Sequence, residues 1–353
     1  MPVKIGSKGL DIPVIQGGMG VGVSLGKLAG SVAKEGAMGT ISMVNIGYKE
    51  KDFYKNKLQA NVRAFNKEFS KAREISAGKG IIATNIMAAL TDYKDLVKEA
   101  VKSKVDAIVV GAGLPLNLPE LVGTKDILIA PIISSVRALS VVVKSWMRKY
   151  ERVPDFVVLE GKGAGGHLGF DEEEISVNKI SLEKLTKEVV SYLKDLKEKI
   201  GYKIPLFVGG SFFDGNDLNM VREWGAEGIQ MGTRFIATEE SDVGDKFKNI
   251  IVNSSKEDIS LLHSPVGMPA RAIKTPLLKK IKKGRIPSKR CINCLTPCNP
   301  KTTDFCISDA LISAAYGDVE NGLFFSGSLA HRVKEITTVG KIFEEIKSQW
   351  RNI

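Results

Sequence analysis

The sequence predicts an α/β fold: a (β/α)8 barrel with a helical insertion after its second strand and a cysteine-containing helical extension at its C-terminal end. Three observations predict it. Short apolar runs alternate with helical patterns eight times within about 250 residues, the usual size of such a barrel, and strands separated by helices pair in parallel. The runs end in Gly, Asn, Ser or His, the kinds of residue a barrel collects at the C-terminal ends of its strands. A doubly wound sheet, the competing arrangement, would need one glycine fingerprint after its first strand and an acid after its second. Gly17 to Gly22 instead reads GGMGVG, and the second strand runs into Ser42, Met43 and Val44.

The elements follow in order. Ile12 to Gln16 predicts the first strand, and Leu25 to Glu35 a helix with Ser24 as its N-cap. Met38 to Ser42 is the second strand. The Lys-, Glu- and Asn-rich stretch 48–79 has helical spacing of Phe53, Leu58, Val62, Phe65 and Phe69 and reads as the inserted helical excursion. Ile81 to Ala83 is the third strand, ending in Thr84 and Asn85, followed by a helix from Leu90 to Ser103. Ala107 to Val110 and Ile127 to Pro131 are the fourth and fifth strands, the latter followed by Ser134, Ser135 and a helix from Val136 to Tyr150. Phe156 to Leu159 is the sixth strand, and Ser181 to Ile200 its helix. Pro205 to Val208 and Gly228 to Met231 are the last two strands, with helices expected over Asp214 to Trp224 and Ser241 to Val252. The barrel is thus expected over residues 1–255 and the extension over 256–353, with closing helices at Ser308 to Tyr316 and Phe324 to Val339, packed on the barrel.

The chain has 353 residues, 43% of them hydrophobic and 26% charged, which is ordinary for a globular protein with a large core. No apolar run approaches the roughly 18 residues of a membrane span. The N-terminus lacks the apolar core and cleavage site of a signal peptide, so a cytoplasmic location is expected. The net charge is +11, but the lysines are scattered along helices, with one dense patch from Lys279 to Arg290. No aromatic interleaving or helix-turn-helix pattern accompanies them, so nucleic acid is not an expected partner.

The densest chemistry lies after the sixth strand. Glu160 to Gly169 reads EGKGAGGHLG, four glycines around Ala164 that end on His167. Glycines at that density let backbone approach a ligand closely, and an imidazole of near-neutral pKa can take or give a proton. His263 and His331 lack such a setting and read as structural or solvated. Gly209 and Gly210 follow the seventh strand, and Gly232 and Thr233 the eighth. Barrels commonly hold a phosphate there, on free backbone N–H groups and a helix N-terminus. That is a site of the type that receives FMN. Gly18 and Met19 could offer backbone donors to its ring and Asn85 an amide, with Ser134 at a neighbouring strand end.

Five stretches then occur in order: QGGMG from Gln16, EGKGAGGHLG from Glu160, VGGSFFDG from Val208, GIQMGTRFIAT from Gly228 and GMPARAIKTP from Gly267. Together they resemble the nitronate monooxygenase family, once called 2-nitropropane dioxygenases, which includes the FMN-dependent enoyl-acyl-carrier-protein reductase II. The resemblance covers roughly Ile12 to Pro276. It implies a TIM barrel with non-covalent FMN and His167 as the catalytic residue, and it marks Asn85, Gly210, Gln230, Met231, Gly232 and Thr233 as FMN-contacting positions; Gly166, beside His167, is a further candidate for cofactor binding. The family usually carries Glu where this chain has Gly163, preceded by Lys162. In the monooxygenase branch an alkyl nitronate gives an electron to the flavin and O2 then reacts; in the reductase branch NAD(P)H reduces FMN, which delivers hydride to an enoyl thioester. The leading expectation is the monooxygenase, the first alternative the reductase, and the alternative from another class a non-catalytic flavin-binding module. The expected partner is a small-molecule substrate, with NAD(P)H or an acidic carrier protein on the reductase reading and a homo-oligomer left open.

All four cysteines fall in one short stretch, Cys291-x2-Cys294-x3-Cys298-x7-Cys306, interrupted by Pro297 and Pro300. In a cytosolic chain such clustering suits a [4Fe–4S] cluster or zinc better than disulfides, with four metal-free thiols as the third reading.

Overall fold

The computed structural model describes residues 2–176, 180–288 and 290–351. Eight parallel strands close into a barrel: β3 (Val14–Gln16), β4 (Met38–Ser42), β5 (Ile81–Met87), β6 (Ala107–Gly111), β7 (Leu128–Ile133), β8 (Val157–Glu160), β10 (Leu206–Gly209) and β11 (Gly228–Met231). Each is short and apolar because it is covered on both faces. Inward-facing Ile15, Met38, Ala83, Val109, Ala130, Val158 and Phe207 fill the barrel. Phe156 and Phe207 meet edge-on there, their centroids 6.0 Å apart. A hairpin that sequence periodicity did not reveal, β1 (Val3–Ile5) and β2 (Lys8–Leu10), packs Ile5 and Leu10 against this interior. It lies against the first residues of several strands, so the N-terminal mouth is plugged and the C-terminal mouth is the one left for a ligand.

The helices form where their caps and apolar stripes expect them. Helix α5 (Val136–Tyr150) starts at Ser135, whose hydroxyl accepts from the Ala138 N–H at 3.2 Å. Helix α7 (Leu182–Ile200) starts at Ser181 in the same way and buries Leu185, Val189, Leu193 and Leu196 at helical spacing. Helix α8 (Gly215–Glu223) opens with a reciprocal capping box between Asp214 and Asp217. Helix α1 (Gly26–Lys34) differs from expectation: its N-cap is Leu25, without a side-chain cap, and Ser24 turns back to the chain at Met19. The helical segment after the second strand is one helix, α2 (Lys57–Ser76), which packs on α1 and itself makes the crossover to β5, after turns that span residues 43–56. Helix α3 (Tyr93–Lys102) begins later than expected, and a short helix, α4 (Leu118–Val122), precedes β7.

The C-terminal residues are built into the barrel. The expected helix over Phe324 to Val339 is absent; that stretch is irregular apart from one 3-10 turn, and the closing helix is α13, Val339–Gln349. Its Val339, Ile342, Phe343 and Ile346 join Val14, Val32 and Phe235 in one cluster. Gln349 Oε1 accepts from the Gly215 N–H at 2.9 Å, and Lys347 pairs with Glu35 at 2.9 Å. Helix α13 thus lies between α8 and α1, the place of the eighth barrel helix. The sequence had suggested Ser241 to Val252 for that place. The helix there, α10 (Asp245–Val252), instead packs Phe247 and Ile251 against Val23, Ile236 and Phe324. Two further strands, β12 (Ile259–His263) and β13 (Pro269–Ile273), pair antiparallel, and β13 also pairs with β9 (Gly166–His167). The tail therefore reaches the glycine loop itself.

Candidate active site

The C-terminal mouth holds a cleft that opens to solvent, with a cavity volume of about 210 Å3. Gly18, Met19, Asn85, Gly166, His167, Gln230, Gly232 and Thr233, each singled out in the sequence, line it together. Ser134 lies in an adjoining cavity that shares His167 and Glu160 with the main one. Gly209 and Gly210 do not line it. The Gly209 carbonyl accepts from Gly161 within the sheet, and Gly210 turns the chain beneath the glycine loop at φ +95°, where an added Cβ would stand 2.8 Å from the Gly161 carbonyl oxygen. The Met231 side chain points away into the outer core, so its expected role does not rest on the side chain. The Met19 N–H is also taken: it donates to Ser24 Oγ at 2.7 Å.

His167 is held from three sides. Its Nε2 lies 2.8 Å from Ser264 Oγ, a buried hydroxyl that also accepts from the Val266 N–H at 3.3 Å. The Ser264 hydroxyl can donate to Nε2 or accept from it, and in either tautomer it leaves Nδ1 as the ring nitrogen without a protein partner among the described residues. The Phe325 ring meets the imidazole edge-on at 5.2 Å. The strand pair β9–β13 fixes the backbone, with Ala270 opposite His167. Burial lowers the imidazole to about 4, so it is neutral through the physiological range.

Glu160 closes β8 in the same wall. It accepts from Gln230 Nε2 at 3.1 Å, and burial raises its carboxyl to about 7. The loop between Glu160 and His167 is clamped by Arg271 of β13, whose Nη1 donates to the carbonyls of Lys162 at 2.5 Å and Ala164 at 2.6 Å. Gly163 leaves room for Ser211: a Cβ there would lie 1.7 Å from Ser211 Oγ, and the hydroxyl would have to move. The Lys162 ammonium sits 5.8 Å from the Phe170 ring centroid.

The walls fit a flavin nucleotide. Ser42 Oγ and Ser326 Oγ both line the cavity, buried and without a hydrogen-bond partner, which suits a polar group placed among them. Thr233 Oγ1 accepts from the Gly327 N–H at 2.8 Å, which leaves its own proton free to donate. Asn85 spends one amide proton on the Val109 carbonyl at 3.2 Å and keeps its oxygen toward Gly18.

Ser264, Arg271, Phe325 and Ser326 were not foreseen as site residues. They come from the tail, 97 residues or more beyond the loop residues they touch, and the only signal in the sequence was the motif from Gly267 that contains Arg271. Outside the site, His263 is exposed and 4.0 Å from Glu172, and His331 Nδ1 is paired with the Ser328 carbonyl, as their settings suggested.

The four cysteines line one small cavity beside Ser288 and Asn293, and Cys294 is buried while Cys291 is exposed. Burial raises the Cys294 and Cys298 thiols and takes Cys306 to about 11. Among the described residues, no three His, Cys, Asp or Glu side chains stand close enough to hold a metal ion. In the basic patch, Lys280 binds the Glu320 carbonyl, Arg285 those of Thr303 and Pro300, and Arg290 lies over Tyr54; Lys289 is outside the described residues. No helix among the described residues is long and apolar enough to cross a membrane.

Residues 2–349 match the family model for nitronate monooxygenase. Among curated proteins, the (3aS,4S,5R,7aS)-5-hydroxy-7a-methyl-1-oxo-octahydro-1H-indene-4-carboxyl-CoA dehydrogenase of Rhodococcus jostii is 27% identical, over 58% of this chain and only 58% of its own length. A probable nitronate monooxygenase of Staphylococcus haemolyticus is 24% identical over 84% of this chain and 85% of its own. Among solved structures, FabK from Thermotoga maritima superposes with a TM-score of 0.73 at 26% identity, covering 97% of this chain and 93% of its own.

Proposed function

The chain belongs to the nitronate monooxygenase family of oxidoreductases, and from that premise we propose that it is an FMN-dependent enzyme that oxidises alkyl nitronates with O2. The observation that carries this reading is the neutral His167 on the wall of the cavity at the C-terminal mouth, facing glycine turns and unpartnered hydroxyls. When bound, FMN supplies the electron-transfer chemistry that no side chain provides.

The residues around it have separate tasks. Gly232, Thr233 and Ser326 would hold the phosphate, through backbone N–H groups and hydroxyls rather than through a cation. Asn85, Gln230 and the Gly18 backbone would meet the ring. Ser264 occupies Nε2 of His167, so Nδ1 is the ring atom left for the substrate, and with its proton there the neutral imidazole would donate a hydrogen bond to a nitronate oxygen at neutral pH. Arg271 and Phe325 keep that imidazole from turning away, and the tail segment that carries Phe325 and Ser326 shields the cavity from bulk water.

A second reading, NAD(P)H-dependent reduction of an enoyl thioester, is favoured by the likeness to FabK across nearly the whole chain. On that reading the basic patch from Lys279 is the surface for an acidic carrier protein. Oxygen uptake by the purified protein with propyl-2-nitronate tests the first reading, and NADH oxidation dependent on an enoyl thioester the second. Uptake with the nitronate, lost in His167→Ala, supports the proposal; thioester-dependent NADH oxidation without nitronate turnover would replace it.

A further inference from the structure

The charge of the cavity rests on very few groups. Among the described residues lining the main cavity and its neighbour, the ionisable side chains are Glu160 and His167; no Lys or Arg lines either. Glu160 has no salt-bridge partner among the described residues, only the neutral amide of Gln230. The groups that face it from the surrounding elements are few. On its own loop there is His167, neutral and held by Ser264. From β13 there is Arg271, committed to the carbonyls of Lys162 and Ala164. The neighbouring strand ends present Gly209 on β10 and Ile133 on β7, neither of which titrates. Apart from the phosphate that FMN would bring, Glu160 thus alone decides whether the walls of the cavity carry a negative charge.

We propose that Glu160 sets the charge of the substrate this site accepts: the cavity admits an anion, such as a nitronate, when Glu160 carries a proton, and excludes it when Glu160 is ionised. The inference rests on the functional reading above for the identity of the anion, but its physical basis is the cavity alone. A carboxylate and an anionic ligand within one cavity repel across a medium of lower dielectric than water, with no cation on the walls to offset them. Burial brings the switch to about pH 7, where it can act. The Gln230 bond survives in either state, because the carboxyl oxygen accepts in both, so the switch needs no rearrangement.

The test uses the full chain and a probe that needs no turnover. Inorganic nitrite shares the anionic NO2 group of a nitronate and stays ionised throughout. Its affinity is measured by calorimetry at about pH 6 and about pH 8 for wild type, Glu160→Gln and Glu160→Asp. Wild type is expected to lose about 10-fold in affinity between these values, as a single titrating group dictates. Glu160→Gln, which keeps the hydrogen bond and cannot ionise, should bind equally at both and match wild type at the lower pH. Glu160→Asp should keep the dependence, which covers the case in which Glu160→Gln does not fold. An unchanged dependence in Glu160→Gln, a flat wild type, or no nitrite binding at either pH would each overturn the proposal. A protein that binds nitrite in this way but turns over no nitronate would retain the gate and lose the functional reading instead.

Discussion

His167 Nε2 and Ser264 Oγ lie 2.8 Å apart although ninety-seven residues separate them in the chain. The bond ties the glycine loop after the sixth strand to the turn before β13. It leaves Nδ1 as the ring atom free for a ligand. Replacing Ser264 by Ala should therefore lower kcat by about 10-fold, the scale of one hydrogen bond, while bound flavin is retained. Ser264→Thr, which keeps the hydroxyl, should recover most of the loss. Steady-state kinetics beside flavin content checks both.

Arg271 is a buried cation whose partners are backbone carbonyls. Arg271→Met should leave the Lys162 and Ala164 carbonyls unsatisfied and cost about 2–4 kcal/mol of stability, with loss of turnover as the loop relaxes. Urea unfolding of the variant against wild type measures this; a change under about 0.5 kcal/mol would show that the clamp is idle.

Gly163 and Ser211 compete for one space. Gly163→Ala should weaken flavin retention, because its Cβ would fall on Ser211 Oγ. Combining it with Ser211→Gly should restore retention. The double variant must therefore outperform the single one, a coupling that distant sites would not show.

The two titrating groups of the cavity pull stability in opposite directions. Glu160 rises from 4.5 to about 7 on folding, so in that window the folded chain holds the extra proton and stability falls as pH rises. His167 drops from 6.5 to about 4, so the unfolded chain holds the extra proton and stability falls as pH drops through that window. Glu160→Gln should then be more stable than wild type at about pH 8, by about 1–2 kcal/mol given the water that reaches the cavity, and no more stable at about pH 4. Thermal unfolding at the two pH values checks the sign.

The barrel was legible because its strands are continuous apolar runs with glycine or polar ends, and its helices carry Ser135, Ser181 and Asp214 as caps. His167 was legible from its glycine setting. Its supports were not. Ser264, Phe325 and Ser326 sit in turns and irregular chain, which have no periodicity to read, and their positions depend on β13 pairing with a two-residue strand. Ser24 looked like a cap and serves Met19 instead, because carboxylates distant in the chain, Asp242 and Glu68, take the first N–H groups of α1. The eighth barrel helix was misplaced for a related reason: both Asp245–Val252 and Val339–Gln349 are amphipathic, and only tertiary packing against Val14 and Phe235 decides between them. Glu160 looked like the end of a strand; its significance lies in what surrounds it, which is spread over four strands.

The most direct measurement is anaerobic mixing of the purified protein with propyl-2-nitronate, followed at the flavin absorbance. Bound FMN that bleaches in wild type and not in His167→Ala, with flavin content equal in the two, is the expected result. Protein that carries no flavin and takes up none, or a His167→Ala variant that bleaches as fast as wild type, would contradict it.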